Sequence, residues 1–166
     1  PDPERKGAFD QAKAEQRWEM LSLRYFGERP IVEGAQQDIV SIIVPERTEN
    51  DAFVPVSIET NPASDSAHID KVYLVVDINP IPIAGVFSMT QKRPLENIAT
   101  QVRVNGYSYV RAIAETSDGQ LFMAKQLVKS RGVACAAPPI TSPEEAAEKL
   151  GNMRFRLLRA KQPDEK

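Results

Sequence analysis

The stretch YSYVRAIAETSDGQLFMAKQLV, residues 107–128, decides the fold of this chain. It consists of two apolar runs, rich in β-branched and aromatic residues, with a short polar segment between them. An Asp-Gly pair between two such runs is a strong signal for a tight turn that joins antiparallel strands. The stretch therefore predicts a β-hairpin whose turn lies at Asp118-Gly119.

Five further runs upstream alternate with a period of two residues, which is the period of a β-strand. They are DIVSIIV (38–44), FVPVSIE (53–59), IDKVYLVVDI (69–78), IPIAGVFSM (81–89) and IATQVRV (98–104). The residues expected to share a face within a run are Val54, Val56 and Ile58; Val72, Leu74, Val76 and Ile78; and Ile98, Thr100, Val102 and Val104. Seven short strands with frequent turns predict an all-β, antiparallel sandwich of two sheets.

Three details refine this prediction. The run at 38–44 is apolar enough to predict a buried strand. Pro55 has no backbone N–H to donate, so it predicts a sheet edge or a bulge at that position. Asn79-Pro80 predicts a turn between two of the strands.

Helical patterns flank the strands on both sides. In AFDQAKAEQRWEMLSLRYFG (8–27), Ala14, Trp18, Leu21 and Tyr25 fall on one face at helical spacing, which predicts a helix near residues 9–25. It is expected to dock on the domain; the alternative is a helix that binds a partner.

After the strands, SPEEAAEKLG opens with a capping box at Ser142 and predicts a short helix over 142–150. NMRFRLL (152–158) is a candidate eighth strand.

Length and composition limit the function classes. The chain has 166 residues, of which 42% are hydrophobic, and a formal net charge of -2. These values fit one domain, or one domain with appended helices, and the absence of a basic block argues against nucleic-acid binding. No apolar run approaches the roughly 20 residues that span a membrane. No signal peptide is visible, and a start at Pro1 is compatible with a leader that has been removed.

Little in the chain indicates a self-contained active site. His68 is the single histidine, in a polar loop near Asp65 and Asp70 whose spacing matches no specific metal motif. It is expected to be a solvated loop residue. No phosphate-binding glycine loop is present, and the acidic residues of the C-terminal helix suit its N-terminus without a catalytic role. The sequence therefore predicts a protein that is not an enzyme and has no metal site.

Cys135 is the only cysteine, so an internal disulfide is excluded. It lies among small residues, and Pro138-Pro139 favours an extended backbone after it. A small buried cysteine is the alternative. Lys129 and Arg131 are close in sequence and would modestly favour the thiolate. We expect an accessible thiol that serves as an attachment point and that would also permit a disulfide-linked dimer; a non-covalent homodimer is the other form in which the chain would self-associate.

Several segments together resemble SoxY, the carrier protein of bacterial sulfur oxidation. They are NPIPIAGVFSMT (79–90), ATQVRVNGYSYVRAIAETSDGQLFMAKQLVK (99–129) and the cysteine that follows. The matching positions are Asn79, Pro80 and Pro82; Ala114, Glu115, Ser117, Asp118, Gly119, Phe122 and Ala124; and Cys135. The resemblance covers roughly residues 38–135. The family's arm is typically Gly-Gly-Cys-Gly-Gly at the C-terminus, whereas alanines flank Cys135 and residues 136–166 follow it.

RYFGERPIVEG (24–34) and the extension after the cysteine resemble a subfamily, the SoxYZ-like carriers associated with quinoprotein dehydrogenases. In these proteins a SoxY-like half is fused to a SoxZ-like half, and this chain would be mainly the first half. The resemblance implies an immunoglobulin-like sandwich, a periplasmic location, no bound cofactor, and a sulfur intermediate held covalently on Cys135. It implies as partners a SoxZ-like domain or subunit and a quinoprotein dehydrogenase or cytochrome.

The expected organisation is an N-terminal helical segment at 1–30, a SoxY-like domain at 31–132, and a cysteine segment with a short helix at 133–166 that would form the junction to a SoxZ-like domain. Three functions remain open at this point. The preferred one is a periplasmic carrier that uses Cys135. The second is a non-catalytic module that docks a redox enzyme, with Cys135 incidental. The third is an enzyme with Cys135 as nucleophile, for which no neighbouring base is identifiable.

Overall fold

The structure is a computed structural model that describes residues 9–34, 37–61, 67–90 and 96–130. The chain divides into two compact units, Pro1–Cys135 and Ala136–Lys166, and all described residues belong to the first. The predicted helix at 142–150, the candidate strand at 152–158, and Cys135 itself lie outside the described residues. The boundary between a domain at 31–132 and a cysteine segment at 133–166 therefore stays a prediction.

The described residues form one helix and eight strands. The helix α1 spans Gln11–Phe26. The strands are β1 Ile31–Glu33, β2 Val40–Ile43, β3 Val54–Thr60, β4 Ile69–Val76, β5 Ile83–Ser88, β6 Asn97–Val102, β7 Ser108–Thr116 and β8 Leu121–Val128. They make a five-stranded sheet in the order β1-β8-β7-β4-β5 and a three-stranded sheet in the order β2-β3-β6. The described part is thus mostly β, as predicted, and β2 to β8 are the seven predicted strands.

The two sheets enclose an apolar core, consistent with the predicted immunoglobulin-like sandwich. The core joins residues of both sheets, among them Val54, Val56 and Ile58 of β3 and Val72, Leu74 and Val76 of β4. All six are at most 1% exposed. The alternation seen in the sequence is therefore the inward-facing set of each strand, and burial of each such side chain stabilises the fold by roughly 1.5–3 kcal/mol.

The helix α1 covers the outer face of the five-stranded sheet. Asp10 caps its N-terminus by accepting a hydrogen bond from the Lys13 N–H at 3.1 Å. Gly27 ends it with φ +68°, a conformation that suits glycine. Phe26 and Trp18 belong to a second apolar cluster with Val75, Ile113, Leu121 and Met123 on that outer face. The expectation of a docking helix is confirmed, since its inner stripe is packed on the sheet.

The assignment of Tyr25 to the packed face of the helix was wrong. Tyr25 is 38% exposed, whereas Phe26 is 4% exposed and is the buried aromatic residue. Its ring meets the ring of Tyr73 edge to face, with 5.1 Å between centroids. Positions seven and eight residues after Trp18 both lie near two helical turns from it, so spacing alone does not choose between the two.

β1 is absent from the sequence-based prediction, and it makes the sheet mixed. It pairs with β8 in parallel, with Ile31 opposite Leu121 and Glu33 opposite Met123. The expectation of a wholly antiparallel sandwich is therefore wrong at this one strand. Two parallel strands need a long connection between them. Here the connection from β1 to β8 consists of strands β2 to β7 and their loops. The helix α1 is not part of it, because α1 precedes β1.

Three positions in the strands differ from expectation or qualify it. β2 is an edge strand with one exposed face, and Ile43 is 59% exposed, so the buried-strand prediction for 38–44 holds for only one face. Ile78 lies beyond the end of β4 and is 36% exposed, so its assignment to the inner face was wrong. Pro55 belongs to the central β3, but β2 pairs only with residues 57–60, which leaves a local edge beside the proline.

Candidate functional site

The predicted attachment residue, Cys135, lies outside the described residues, so the site is approached from the last described strand. β8 ends at Val128, and Lys129 and Ser130 follow it. We call residues 128–130 the root of the cysteine segment. Cys135 is five positions after Ser130, and an extended chain spans at most about 3.6 Å per position, so their Cα atoms lie within about 18 Å of each other.

The root is fixed by contacts to two segments that follow strands of the three-stranded sheet. The Lys129 N–H donates to the Glu46 carbonyl oxygen at 2.7 Å, and Lys129 forms an isolated parallel bridge with Arg47, just after β2. The Ser130 hydroxyl donates to the Val104 carbonyl oxygen at 2.8 Å, and Ser130 is 2% exposed. A buried hydrogen bond of this kind contributes about 1 kcal/mol, and leaving the acceptor unpaired costs more. The chain is therefore held until five residues before the thiol.

The Asn-Pro-x-Pro motif supports the same root through the loop at 103–105. The Asn79 side chain donates to the Arg103 carbonyl oxygen at 2.8 Å and accepts from the Asn105 N–H at 3.3 Å. Between these two residues lies Val104, whose carbonyl binds Ser130 and whose N–H donates to the Asp51 carbonyl oxygen at 2.9 Å. Asn79 is thus joined to the root by consecutive hydrogen bonds. We call Asn79, the loop at 103–105 and the root the root end of the five-stranded sheet.

The hairpin motif lies at the opposite end of the sheet. β7 and β8 pair from Ser108–Val128 to Glu115–Leu121, so the turn and the root are separated by the full length of β8. In the turn, Asp118 accepts hydrogen bonds from the Thr116 hydroxyl at 2.5 Å and the Gln120 amide at 2.6 Å. Both bonds hold the pKa of Asp118 below its usual value. Gly119 has φ +83°, which explains the glycine.

Lys129, one of the two cations expected to favour the thiolate, is already paired in the structure. The Lys129 ammonium forms an ion pair with the Glu46 carboxylate, and that hydrogen bond is the main reason why the pKa of Glu46 is lowered. A lysine that is already paired presents a much smaller net positive charge to a nearby thiol. We therefore expect a smaller contribution from Lys129 to thiolate formation than the sequence alone predicts. Arg131, the other expected cation, lies outside the described residues.

A buried ion pair under α1 is the largest polar feature that sequence reasoning missed. Arg111 is 0% exposed and donates from Nε and Nη2 to the Asp77 carboxylate at 2.8–3.0 Å. Its guanidinium also stacks over the Trp18 ring, 4.1 Å from the centroid. Burial raises the pKa of Asp77, and the bonds from Arg111 oppose that rise. A partial signal was available, since Arg111 has apolar neighbours on both sides in YVRAIA and Asp77 follows the apolar run YLVV.

Glu115 joins the end of α1 to the sheet. It accepts hydrogen bonds from Arg29 Nη1 at 2.6 Å and from the Tyr73 hydroxyl at 2.7 Å. Partial burial raises the pKa of Glu115, but these bonds and the charge of Arg29 outweigh it and leave a net lowering. Burial and the bond to Glu115 raise the pKa of Tyr73 to about 12. Glu115, one of the positions that resemble SoxY, therefore has a structural role in this protein.

His68 lies near one carboxylate. Its Nε2 is 3.0 Å from Asp70 Oδ1, at a side-chain exposure of 37%. Within the residues that the structure describes, no group of three or more His, Cys, Asp and Glu side chains is placed to hold a metal ion. Across the same part of the chain, no helix has the length and apolar character needed to cross a bilayer.

The described residues thus form a β-sandwich whose last strand ends at Val128, seven positions before the only cysteine of the sequence. The family model described as "Sulfur oxidation protein SoxY" matches residues 23–135. The match covers more than half of the chain, so this chain belongs to the SoxY family. No curated protein matches it in a sequence comparison.

Solved structures of other proteins share the fold. The sulfur carrier protein SoxY from Chlorobium limicola f thiosulfatophilum matches with a TM-score of 0.56 and 23% identity, over 72% of this chain and 96% of that chain. A single-substitution variant of superoxide reductase (neelaredoxin) from Ignicoccus hospitalis matches with a TM-score of 0.51 and 15% identity, over 60% of this chain and 94% of that chain. At these identities the likeness establishes the sandwich fold alone.

Proposed function

We propose that this chain is a carrier protein that holds a sulfur-containing group covalently on Cys135 while partner redox enzymes act on that group. The observation that carries this proposal is the extent of the family match. It runs from residue 23 to residue 135, so the family model includes the sandwich, the root and the lone cysteine as one unit. The chain itself catalyses no step in this proposal.

The chemistry of the attachment explains why redox partners are needed. Joining the Cys135 sulfur to a second sulfur atom forms an S–S bond and releases two protons and two electrons when both start as thiols. The electrons must pass to an acceptor, and a cytochrome or a quinoprotein dehydrogenase is an acceptor of the right class. The root supports the same role, because it fixes the start of the segment and leaves Cys135 within about 18 Å of it.

The location and partners belong to the same proposal. We place the protein in the periplasm, with a SoxZ-like domain or subunit as its binding partner. The SoxYZ-like subtype associated with quinoprotein dehydrogenases is proposed on the residues at 24–34 and on the extension after the cysteine. In that subtype, residues 133–166 would lead into the SoxZ-like half. Binding of the chain to a purified SoxZ-like protein, measured by calorimetry, tests this partner separately from the cargo.

Mass spectrometry of the protein purified from its native host under non-reducing conditions tests the carrier role. We expect an added mass on the peptide that contains Cys135, removed by a thiol reductant and absent from Cys135→Ala. The Cys135→Ala variant should unfold at nearly the same urea concentration as the wild type, which shows that lost function is not lost folding. A free thiol under every growth condition, with a partner complex that survives Cys135→Ala, would instead support the docking module.

A further inference from the structure

A groove between α1 and the β4–β5 connection is not used by the carrier role. One wall is formed by α1 residues and the other by the connection after β4; the lining residues that matter here are Arg17, Met20 and Arg24 on the helix and Ile78 and Ile81 opposite. The groove has a volume of about 600 Å³. Met20 is 63% exposed and Ile81 is 77% exposed, so apolar side chains on both walls face solvent.

The charge of the groove is one-sided. Within the described residues, neither Arg17 nor Arg24 has a carboxylate within ion-pair distance. The one carboxylate in the lining, Asp77, is 3% exposed and is already bound by Arg111. Exposed apolar side chains between two cations without counter-charges are typical of a surface that binds a partner of opposite charge.

The far wall of the groove is rigid before any partner arrives. Pro80 and Pro82 restrict the backbone of the connection. The Asn79 side chain is bonded to the loop at 103–105, and the Val76 N–H donates to the Pro82 carbonyl oxygen at 2.8 Å. A pre-formed wall lowers the entropy cost of binding, because little has to be ordered when the partner docks.

We propose that this groove binds an acidic, amphipathic polypeptide segment of a partner protein, with carboxylates that pair with Arg17 and Arg24 and apolar side chains that contact Met20 and Ile81. Arg17 and Arg24 are seven residues apart on α1, which places them about 10 Å apart along the helix axis. Two carboxylates at that separation on one face belong to residues i and i+7 of a helix. The concave shape favours a polypeptide over a membrane surface.

The proposal is independent of the carrier role, because no part of it involves Cys135. The direct test is selection from a random dodecapeptide library displayed on phage, with the full 166-residue chain kept reduced as the target. We expect enriched peptides to carry two acidic residues at this i and i+7 spacing, with apolar residues between them. A representative peptide is then measured by calorimetry, together with a copy in which lysines replace the acidic residues.

Variants locate the binding. Arg24→Glu and Ile81→Asp should each lower the affinity for the peptide roughly tenfold or more. A change of this size is expected when a charged contact is reversed or an apolar contact becomes charged. Arg47→Glu and Phe53→Asp are the matched controls, since both residues are exposed and neither lines the groove; they should leave affinity unchanged. The lysine copy should bind Arg24→Glu better than it binds the wild type.

Four results would overturn the proposal. The first is a selection without acidic enrichment, and the second is equal binding of the peptide to Arg24→Glu and wild type. The third is binding to vesicles that contain anionic phosphatidylglycerol without binding to the peptide, which would assign the groove to a membrane surface. The fourth is a dimer in sedimentation that Arg24→Glu dissociates, which would assign it to a second copy of the chain.

Discussion

At the root end of the five-stranded sheet, Asn79 and Ser130 bind backbone carbonyls that are 24 and 26 positions away in the chain. At the hairpin end, Thr116 and Gln120 bind Asp118 across two positions. The hairpin turn can therefore form from its own sequence, whereas the root end forms only when three distant loops meet. Loss of a root contact should disturb tertiary structure, and loss of a turn contact should stay local.

The largest loss of stability is expected at the buried ion pair of Arg111 with Asp77, which lies two positions before Asn79 in the chain. Arg111→Ala leaves the buried Asp77 carboxylate unpaired and removes the contact with the Trp18 ring. The free energy of unfolding should fall by about 3–5 kcal/mol, measured by urea denaturation. The double variant Arg111→Met/Asp77→Asn is the control and should lose clearly less, because no charge stays buried. A loss below about 1 kcal/mol for Arg111→Ala would show that the pair acts like an exposed one.

Asn79→Ala tests the root end directly. It removes one hydrogen bond to Arg103 and one from Asn105, and it should cost about 2 kcal/mol of unfolding free energy. Because the loop at 103–105 holds Ser130, thiol-reagent labelling at Cys135 should also change in rate. Ser130→Ala should show the same change in labelling with a smaller loss of stability. Unchanged labelling in both variants would mean that the root end does not control the cysteine segment.

Glu115→Gln should change how the stability of the protein depends on pH. The pKa of Glu115 is lowered from 4.5 in the folded state, so its stabilising effect is complete above pH 4.5 and is lost as the pH falls through the folded value. The variant should be less stable than the wild type by about 1–2 kcal/mol at pH 7. This difference should shrink on acidification below pH 4.5. A difference that is the same at pH 7 and pH 3 would place the effect in packing instead of charge.

The smallest effect is expected at the turn. Asp118→Ala removes two local hydrogen bonds from an exposed side chain, and the unfolding free energy should change by less than about 1 kcal/mol. Hydrogen exchange should quicken at residues 117–120 and stay unchanged at the root end. A cost as large as that of Asn79→Ala would contradict the distinction between the two ends.

The predictable parts of the fold are those with a local signal. Alternation in β3 and β4 marked the inner face because each inward residue repeats at every second position. β1 has three residues and pairs with the distant β8, so no window of sequence contains its partner. Whether Phe26 or Tyr25 is the buried aromatic residue depends on the position of Tyr73 in the sheet, which the sequence near the helix does not show.

The candidate site was predictable to a different degree. The motif at Asn79 was recognisable, but its link through Val104 to Ser130 consists of side-chain bonds to backbone carbonyls, which leave no residue pattern. The pairing of Lys129 with Glu46 was hidden for the same reason, because the two residues are 83 positions apart. Cys135 as the attachment residue stays a prediction.

The position of β8 inside its sheet has a mechanical consequence. β8 lies between β1 and β7, so a force applied along the strand axis at the end of β8 loads the hydrogen bonds to both neighbours in shear. Bonds loaded in shear share the force, whereas bonds at a sheet edge can be peeled apart one after another. The bridge from Lys129 to Arg47 passes part of that force to the smaller sheet. A pull on the chain at the end of β8 would thus be distributed over both sheets.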